Sequence, residues 1–280
     1  MRPRILFITG TDTGVGKTVL TGLLLAHLRQ TGCSALALKP FCSGGRADAE
    51  LLHGLQDGDL TLDEINPFHF KEPLAPLIAA RLHRRKIPLK QVLDHIRTVS
   101  TRLPSPDFKV QGSSGSSLLL IEGAGGLVSP LGEPSFKVRS PRPYMALDLI
   151  TALSAAGVSE HATRNTQHAI RNTPHSSPVA FHVLVVAPNR LGTINHTLLT
   201  LDKLRDAGIS KPVLVLNDLL SERDAGLDRR YNGALLSEIV NRLQVVRLPY
   251  LGKCSTARDI RSRAKKVRNS LRKIYTLACL

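Results

Sequence analysis

Short apolar runs recur along the chain at residues 5–8, 35–38, 118–121, 183–187, 213–216 and, more weakly, 245–248. Most are unbroken rather than alternating, which is how strands buried on both faces of a parallel sheet read. Longer segments with helical spacing lie between them. In the first, Val19, Leu20, Leu23, Leu24 and Leu28 recur on one face until Gly32 stops the pattern; others cover 92–99, 147–155, 197–204 before Gly208, and 235–243. Alternating strand and helix predicts an α/β fold, a mostly parallel central sheet flanked by helices.

Two stretches break the alternation. Residues 104–117, "PSPDFKVQGSSGSS", read as a Pro/Gly/Ser-rich loop. A second insertion, about 156–180, contains a near-duplication in which "HATRNTQ" is followed by "HAIRNTP". It sets His161, His168, His175 and His182 seven apart, which on a helix would invite a metal site. Pro174 and Pro178 interrupt any such helix, so a duplicated surface loop is the plainer account.

Composition narrows the class. At 280 residues and 42% hydrophobic, the chain can bury one large core. Residues 1–252 read as a single domain. The apolar run near the start is too short for a secretory segment and no later run reaches the length of a membrane span, so a cytoplasmic protein is expected. Cys33, Cys42, Cys254 and Cys279 show no zinc or disulfide spacing. Net charge is +16, and residues 251–280 hold nine Lys/Arg against the single acid Asp259, so half of the excess lies in the last tenth of the chain. Residues 253–280 are expected to be a basic amphipathic extension, with one helix over about 258–275 whose removal leaves turnover intact. Either its apolar stripe packs on the domain and its charges are solvated, which is the plainer account, or it contacts nucleic acid or an anionic membrane; having Tyr275 as its one aromatic argues against single-strand binding.

The chemistry lies at the strand ends, where open parallel sheets bind ligands. Between the first run and the first helical segment stands "GTDTGVGKT", residues 10–18. Backbone N–H groups of such a turn, with those of a helix start, cradle phosphate oxygens. Asp12, Thr13, Gly14, Val15, Gly16, Lys17 and Thr18 therefore form the expected nucleotide site, with Lys17 as a point charge on the outer phosphates and the Thr18 hydroxyl as a Mg²⁺ ligand. The usual first glycine of this pattern is Thr11 here, and Gly10 lies one residue earlier. Lys39, Glu122, Asn189 and the pair Asn217 and Asp218 follow other runs. Glu122 stands where a second metal carboxylate belongs. Asp48, after Gly44 and Gly45, is either a metal ligand or a helix-start acid.

The segments "GTDTGVGKT" (10–18), "KPFCSG" (39–44), "ADA" (47–49), "NPFHFKEPLAPLIAA" (66–80), "IEGAGGLVSPLGE" (121–133), "LGTINHTLLT" (191–200), "LND" (216–218) and "LPYLG" (248–252) occur in an order that resembles the dethiobiotin synthetases. The resemblance covers most of the chain. It implies a P-loop ligase that carboxylates 7,8-diaminopelargonate with CO₂, activates the carbamate with MgATP as a carbamic-phosphoric anhydride, and closes the cyclic urea of dethiobiotin. It further implies that Lys17 and Lys39 are catalytic, that Thr18, Asp48 and Glu122 hold Mg²⁺, and that Thr13 and Ser43 contact substrate or phosphate. Asn217 would read adenine, and Pro249 would line the base. Asn195 would reach the substrate's carboxylate tail from the second subunit of a homodimer. Phosphoryl transfer needs positioning and charge neutralisation rather than a protein nucleophile, so Cys42 reads as a small loop residue and His196 as a helix-start residue. Gly14 departs from members that carry an acid there. A P-loop ATPase switch acting on DNA or membrane is the alternative; it has no need of Lys39, Glu72, Pro73 and Asn195.

Overall fold

The computed structural model describes residues 3–104, 117–133, 142–158, 180–209, 211–221, 223 and 226–279. The chain begins β1 (Arg4–Gly10), α1 (Lys17–Gln30), β2 (Ser34–Leu38), β3 (Phe41–Ser43), α2 (Ala47–His53), α3 (Leu62–Ile65), β4 (Phe68–Phe70), α4 (Pro76–Leu82), α5 (Leu89–Ser100) and β5 (Ser117–Glu122). It continues β6 (Pro130–Gly132), β7 (Tyr144–Met145), α6 (Ala146–Val158), β8 (Phe181–Pro188), α7 (Thr193–Asp206), β9 (Val213–Asn217), α8 (Asp228–Ile239), β10 (Gln244–Leu248), α9 (Ala257–Lys266) and α10 (Arg268–Cys279).

All six apolar runs become strands of one sheet, ordered β10-β9-β8-β1-β5-β2, with every pairing parallel. Burial explains the unbroken runs: β5 and β9 are buried at every residue, leaving no polar face to alternate with. From β1 the chain goes to β2, returns to β5 and then crosses to β8. The winding therefore reverses beside β1, and a crevice opens beyond its carboxyl end. At the other margin, β2 is an edge strand. Gln56 covers it by accepting from the Ala37 N–H (2.8 Å) and donating to the Ala37 carbonyl (3.1 Å).

The short elements were not foreseen. β3 pairs with β4, and β6 with β7, in separate two-stranded ribbons. Helix α8 starts earlier than the spacing at 235–243 predicts and ends at Ile239, because Val240 turns extended (φ −107°, ψ 100°) and Arg242 adopts φ 61°. Most of the 104–117 loop, and His161, His168 and His175 of the repeat, lie outside the described residues; His182 is on β8.

The C-terminal region differs from expectation in its helix count. Two helices replace the single one: α9 starts at a Thr256–Asp259 capping box and stops where Val267 leaves helical geometry (φ −109°, ψ 21°), and α10 follows at once. Their apolar faces pack on the domain, as the plainer reading of the stripe expects. Ile260, Leu271 and Ile274, all 0% exposed, share one core with Leu6 of β1 and Leu20 of α1, and the Arg4 guanidinium donates to the Cys279 carbonyl (2.7 Å). The cause is α1, whose residues 20–28 are all buried, so both the sheet side and the outer side need cover. Gly22 makes room: a Cβ there would lie 3.4 Å from Ile260. The exposed rim of the two helices keeps Arg258, Lys265, Lys266, Arg268, Arg272 and Lys273 in solvent.

Candidate active site

The turn between β1 and α1 is held in shape by close backbone approaches. Gly16, the N-cap of α1, has φ 96°, and a Cβ on it would lie 2.1 Å from Asn217 Nδ2. Gly10 serves where the usual first glycine is missing, since a Cβ there would meet Val15 Cγ2 at 2.7 Å. Asp12 Oδ1 accepts from the Thr13 N–H (2.6 Å), and Gly14, at φ 73°, faces open space.

Lys17, Thr18, Lys39, Asp48, Ser43 and Thr13 line one cleft of about 640 Å³, whose far wall includes Pro73 to Pro76 and Ser129. The Lys17 ammonium donates to the Asp12 carbonyl (2.8 Å). Burial, then the neighbouring Lys39 ammonium, lowers its pKa to about 8. Thr18 Oγ1 donates to Glu122 Oε1 (2.7 Å), and the same oxygen is ion-paired with Lys39. Lys39 Nζ also lies 3.1 Å from Asp48 Oδ2 and 3.4 Å from the Gly123 carbonyl. Burial alone would lower Lys39, but Glu122 and Asp48 outweigh it and hold this lysine protonated, above the ordinary lysine value. Burial pushes the Cys42 thiol up to about 12, so it offers no thiolate.

Glu122 Oε2 and Ser43 Oγ are buried with no hydrogen-bond partner. A buried carboxylate oxygen without a partner, just behind the cleft-lining Thr18 and Lys39, is a position a cation could take. With Thr18, bonded to the same carboxylate, and Asp48, on the other side of Lys39, it makes a set of oxygens that could hold a divalent cation completed by phosphate and water. Among the described residues there is no cluster of three or more His, Cys, Asp and Glu that could hold a metal unaided.

Six expected residues do not line this cleft: Asp12 and Val15 shape the turn, Glu122 is fully buried behind Lys39 and Thr18, and Asn217, Pro249 and Asn195 lie farther off. Asn217 is buried beneath the turn, its amide donating to the Val15 carbonyl (3.0 Å). Pro249 is exposed just after β10, and Asn195 is exposed on α7. Asp218 is spoken for within the fold, receiving the Asn189 amide (2.7 Å) and the Arg247 guanidinium (2.7 Å). Pro73 is among the residues that set the ligase apart from a switch, but the rest of the wall to Pro76 and Ser129, which accepts from the Gly126 N–H (2.9 Å), carried no signal beyond lying in family-like segments. A slightly larger cavity, about 670 Å³, opens at the amino end of β2. Its charges are mutually satisfied, with Arg29 on Asp59 (2.6 Å) and Arg261 on Asp57 (2.5 Å), so the smaller cleft is the chemical one.

A family model described as an AAA domain matches residues 4–139. The ATP-dependent dethiobiotin synthetase BioD of Anaeromyxobacter sp. (strain Fw109-5) is 34% identical over 96% of this chain and 97% of its own. The protein of the same name from Bacillus licheniformis is 34% identical over 81% of this chain and 77% of its own; that of Methanocaldococcus jannaschii is 32% identical over 76% and 79%. Among solved structures, the MinC:MinD cell division complex of Aquifex aeolicus superposes with a TM-score of 0.50 at 12% identity, covering 98% of this chain and 96% of that one. That likeness concerns the fold alone.

Proposed function

The chain belongs to the dethiobiotin synthetase family, and on that premise we propose that the cleft beyond β1 joins 7,8-diaminopelargonate, CO₂ and ATP into the cyclic urea of dethiobiotin, releasing ADP and phosphate. The observation that carries this is the meeting of Lys17 and Lys39 with Thr18, Asp48 and Glu122 at one sheet edge. A carbamate and a γ-phosphate repel each other, at a cost of several kcal/mol unless fixed cations lie between them. Lys17, at the mouth of the turn, would hold the β- and γ-phosphates. Lys39 would face the carbamate and the phosphoryl group in transfer, giving the carbamic-phosphoric anhydride that the second amine attacks. Thr13 and the Ser43 hydroxyl would contact phosphate or substrate, a reading supported by their place in the cleft lining and by the hydroxyl's lack of a partner. Thr18, Asp48 and Glu122 would hold Mg²⁺, which neutralises charge on the phosphate oxygens when bound.

Adenine would lie against Asn217 and Pro249, with Asn217 setting the turn's shape through Val15. A homodimer accounts for Asn195. It sits on exposed α7 between Leu191 and Leu199, which are 87% and 59% exposed, and Leu227, Tyr231, Leu235 and Ile239 follow at four-residue spacing, all exposed, from the start of α8 along its length. A second copy packed on this face would cover the apolar residues and bring Asn195 to the neighbouring cleft. The tail's apolar face is already buried, so it has no hydrophobic surface to insert into a lipid surface. No helix among the described residues is long and apolar enough to cross a membrane. Cys42, Cys254 and Cys279 carry free thiols, which fits the reducing cytoplasm.

The deciding experiment follows ADP formation with each substrate omitted in turn. Turnover should require both the diamine and bicarbonate. Equal turnover without the diamine, stimulated instead by DNA or lipid, would mean an ATPase switch.

A further inference from the structure

One ammonium holds together the groups assigned to the divalent cation. Lys39 Nζ bridges Asp48 Oδ2 and Glu122 Oε1, and that Glu122 oxygen also receives the Thr18 hydroxyl. Lys17, the other lysine of the cleft, turns back onto the Asp12 carbonyl and pairs with none of the three. The bridging lysine is enclosed: its side chain is 6% exposed and that of Glu122 is 0%. The buried Glu122 carboxylate needs a cation beside it, and it shares the one that the chain supplies with Asp48, whose side chain is half-exposed. A cation that takes both carboxylates has to part Lys39 from at least one of them, entering past the half-exposed Asp48 towards the buried Glu122 Oε2, which has no partner.

We propose that Lys39 is a displaceable internal cation, competing with the divalent metal for the Asp48–Glu122 pair, so that metal arrival turns the ammonium into the cleft. The proposal rests on the assignment of Thr18, Asp48 and Glu122 as the metal-holding set. Before the metal enters, Lys39 is tied to protein carboxylates and unavailable to an anionic substrate. Afterwards its charge faces the space between Lys17 and Ser43. Loading the metal and assembling the anion site thereby become one event, and reciprocity requires that an anion which draws Lys39 away also tightens metal binding.

The test uses the full chain without nucleotide and Mn²⁺ as the probe, with binding followed by electron paramagnetic resonance. Amines are reductively methylated with and without Mn²⁺, and labelling of each lysine is counted by mass spectrometry. Bound Mn²⁺ should speed Lys39 labelling at least about tenfold and leave exposed Lys90 unchanged. In parallel, Lys39→Met should bind Mn²⁺ at least about tenfold tighter than the native chain, and Lys17→Met less so. Lys39 staying protected while Mn²⁺ is bound overturns the proposal, as does equal tightening in both variants or no Mn²⁺ binding by either the native chain or Lys39→Met. Glu122→Gln separates the two levels: if it binds Mn²⁺ as well as the native chain, the metal assignment itself fails.

Discussion

Deleting residues 258–280 sets two expectations against each other. An appended basic helix could be removed with turnover intact, whereas the packing makes α9 and α10 the outer cover of α1. Ile260, Leu271 and Ile274 are each fully buried, and a buried Leu or Ile cut to Ala costs about 2–5 kcal/mol. If the three losses added, they would reach roughly 6–15 kcal/mol, the size of a typical domain's whole stability. The deletion should therefore yield a chain that does not fold cooperatively, and each single Ala variant should unfold at clearly lower urea. Lys265→Ala and Lys266→Ala, in solvent on the same helix, should stay within about 0.5 kcal/mol of the native chain. Urea titrations followed by far-UV circular dichroism, with ADP formation measured on the same samples, test this. A truncated chain with the native midpoint and turnover would refute it, and with it the assignment of these helices to the core.

Other outcomes follow from the cleft. Lys17→Gln and Glu122→Gln should each lower diamine-dependent ADP formation by roughly two orders of magnitude or more in steady-state assays. Without ligand, Lys17→Gln should be more stable than the native chain at pH 7. The native lysine keeps its proton up to about pH 8 when folded and to 10.5 when unfolded, so between those values the unfolded state binds more protons and native stability rises with pH. Below that window the buried charge costs about 3 kcal/mol; urea melts at pH 7 and 10.5 should show the variant's advantage and then its disappearance. Gly16→Ala should weaken nucleotide binding by at least about tenfold in calorimetry, because its Cβ would displace Asn217 from the Val15 carbonyl and strain a left-handed residue.

The sheet was legible because its strands are buried on both faces, which leaves runs such as 118–121 with no polar positions. Glu122 and Lys39 were legible because they end those runs, and a strand end in a parallel sheet faces the crevice. Their mutual pairing was not, since nothing in a sequence shows that residues 39, 48 and 122 share an ammonium. The ribbons and α2 to α4 were missed for a related reason. They depend on distant partners, as where the Asn66 amide donates to the Lys39 carbonyl (2.7 Å). The place of α9 and α10 did leave a trace. The run Leu23, Leu24, Leu25 in α1 is apolar around the helix rather than along one stripe, and such a helix needs a second layer.

Gln56 also guards the margin of the sheet. By imitating a neighbouring backbone at Ala37, its amide shuts the margin of β2 against another chain's strand. Two copies meeting at this border would first have to evict that side chain, so growth of the sheet from molecule to molecule is discouraged on the β2 flank. Pairing through helix surfaces remains the open route.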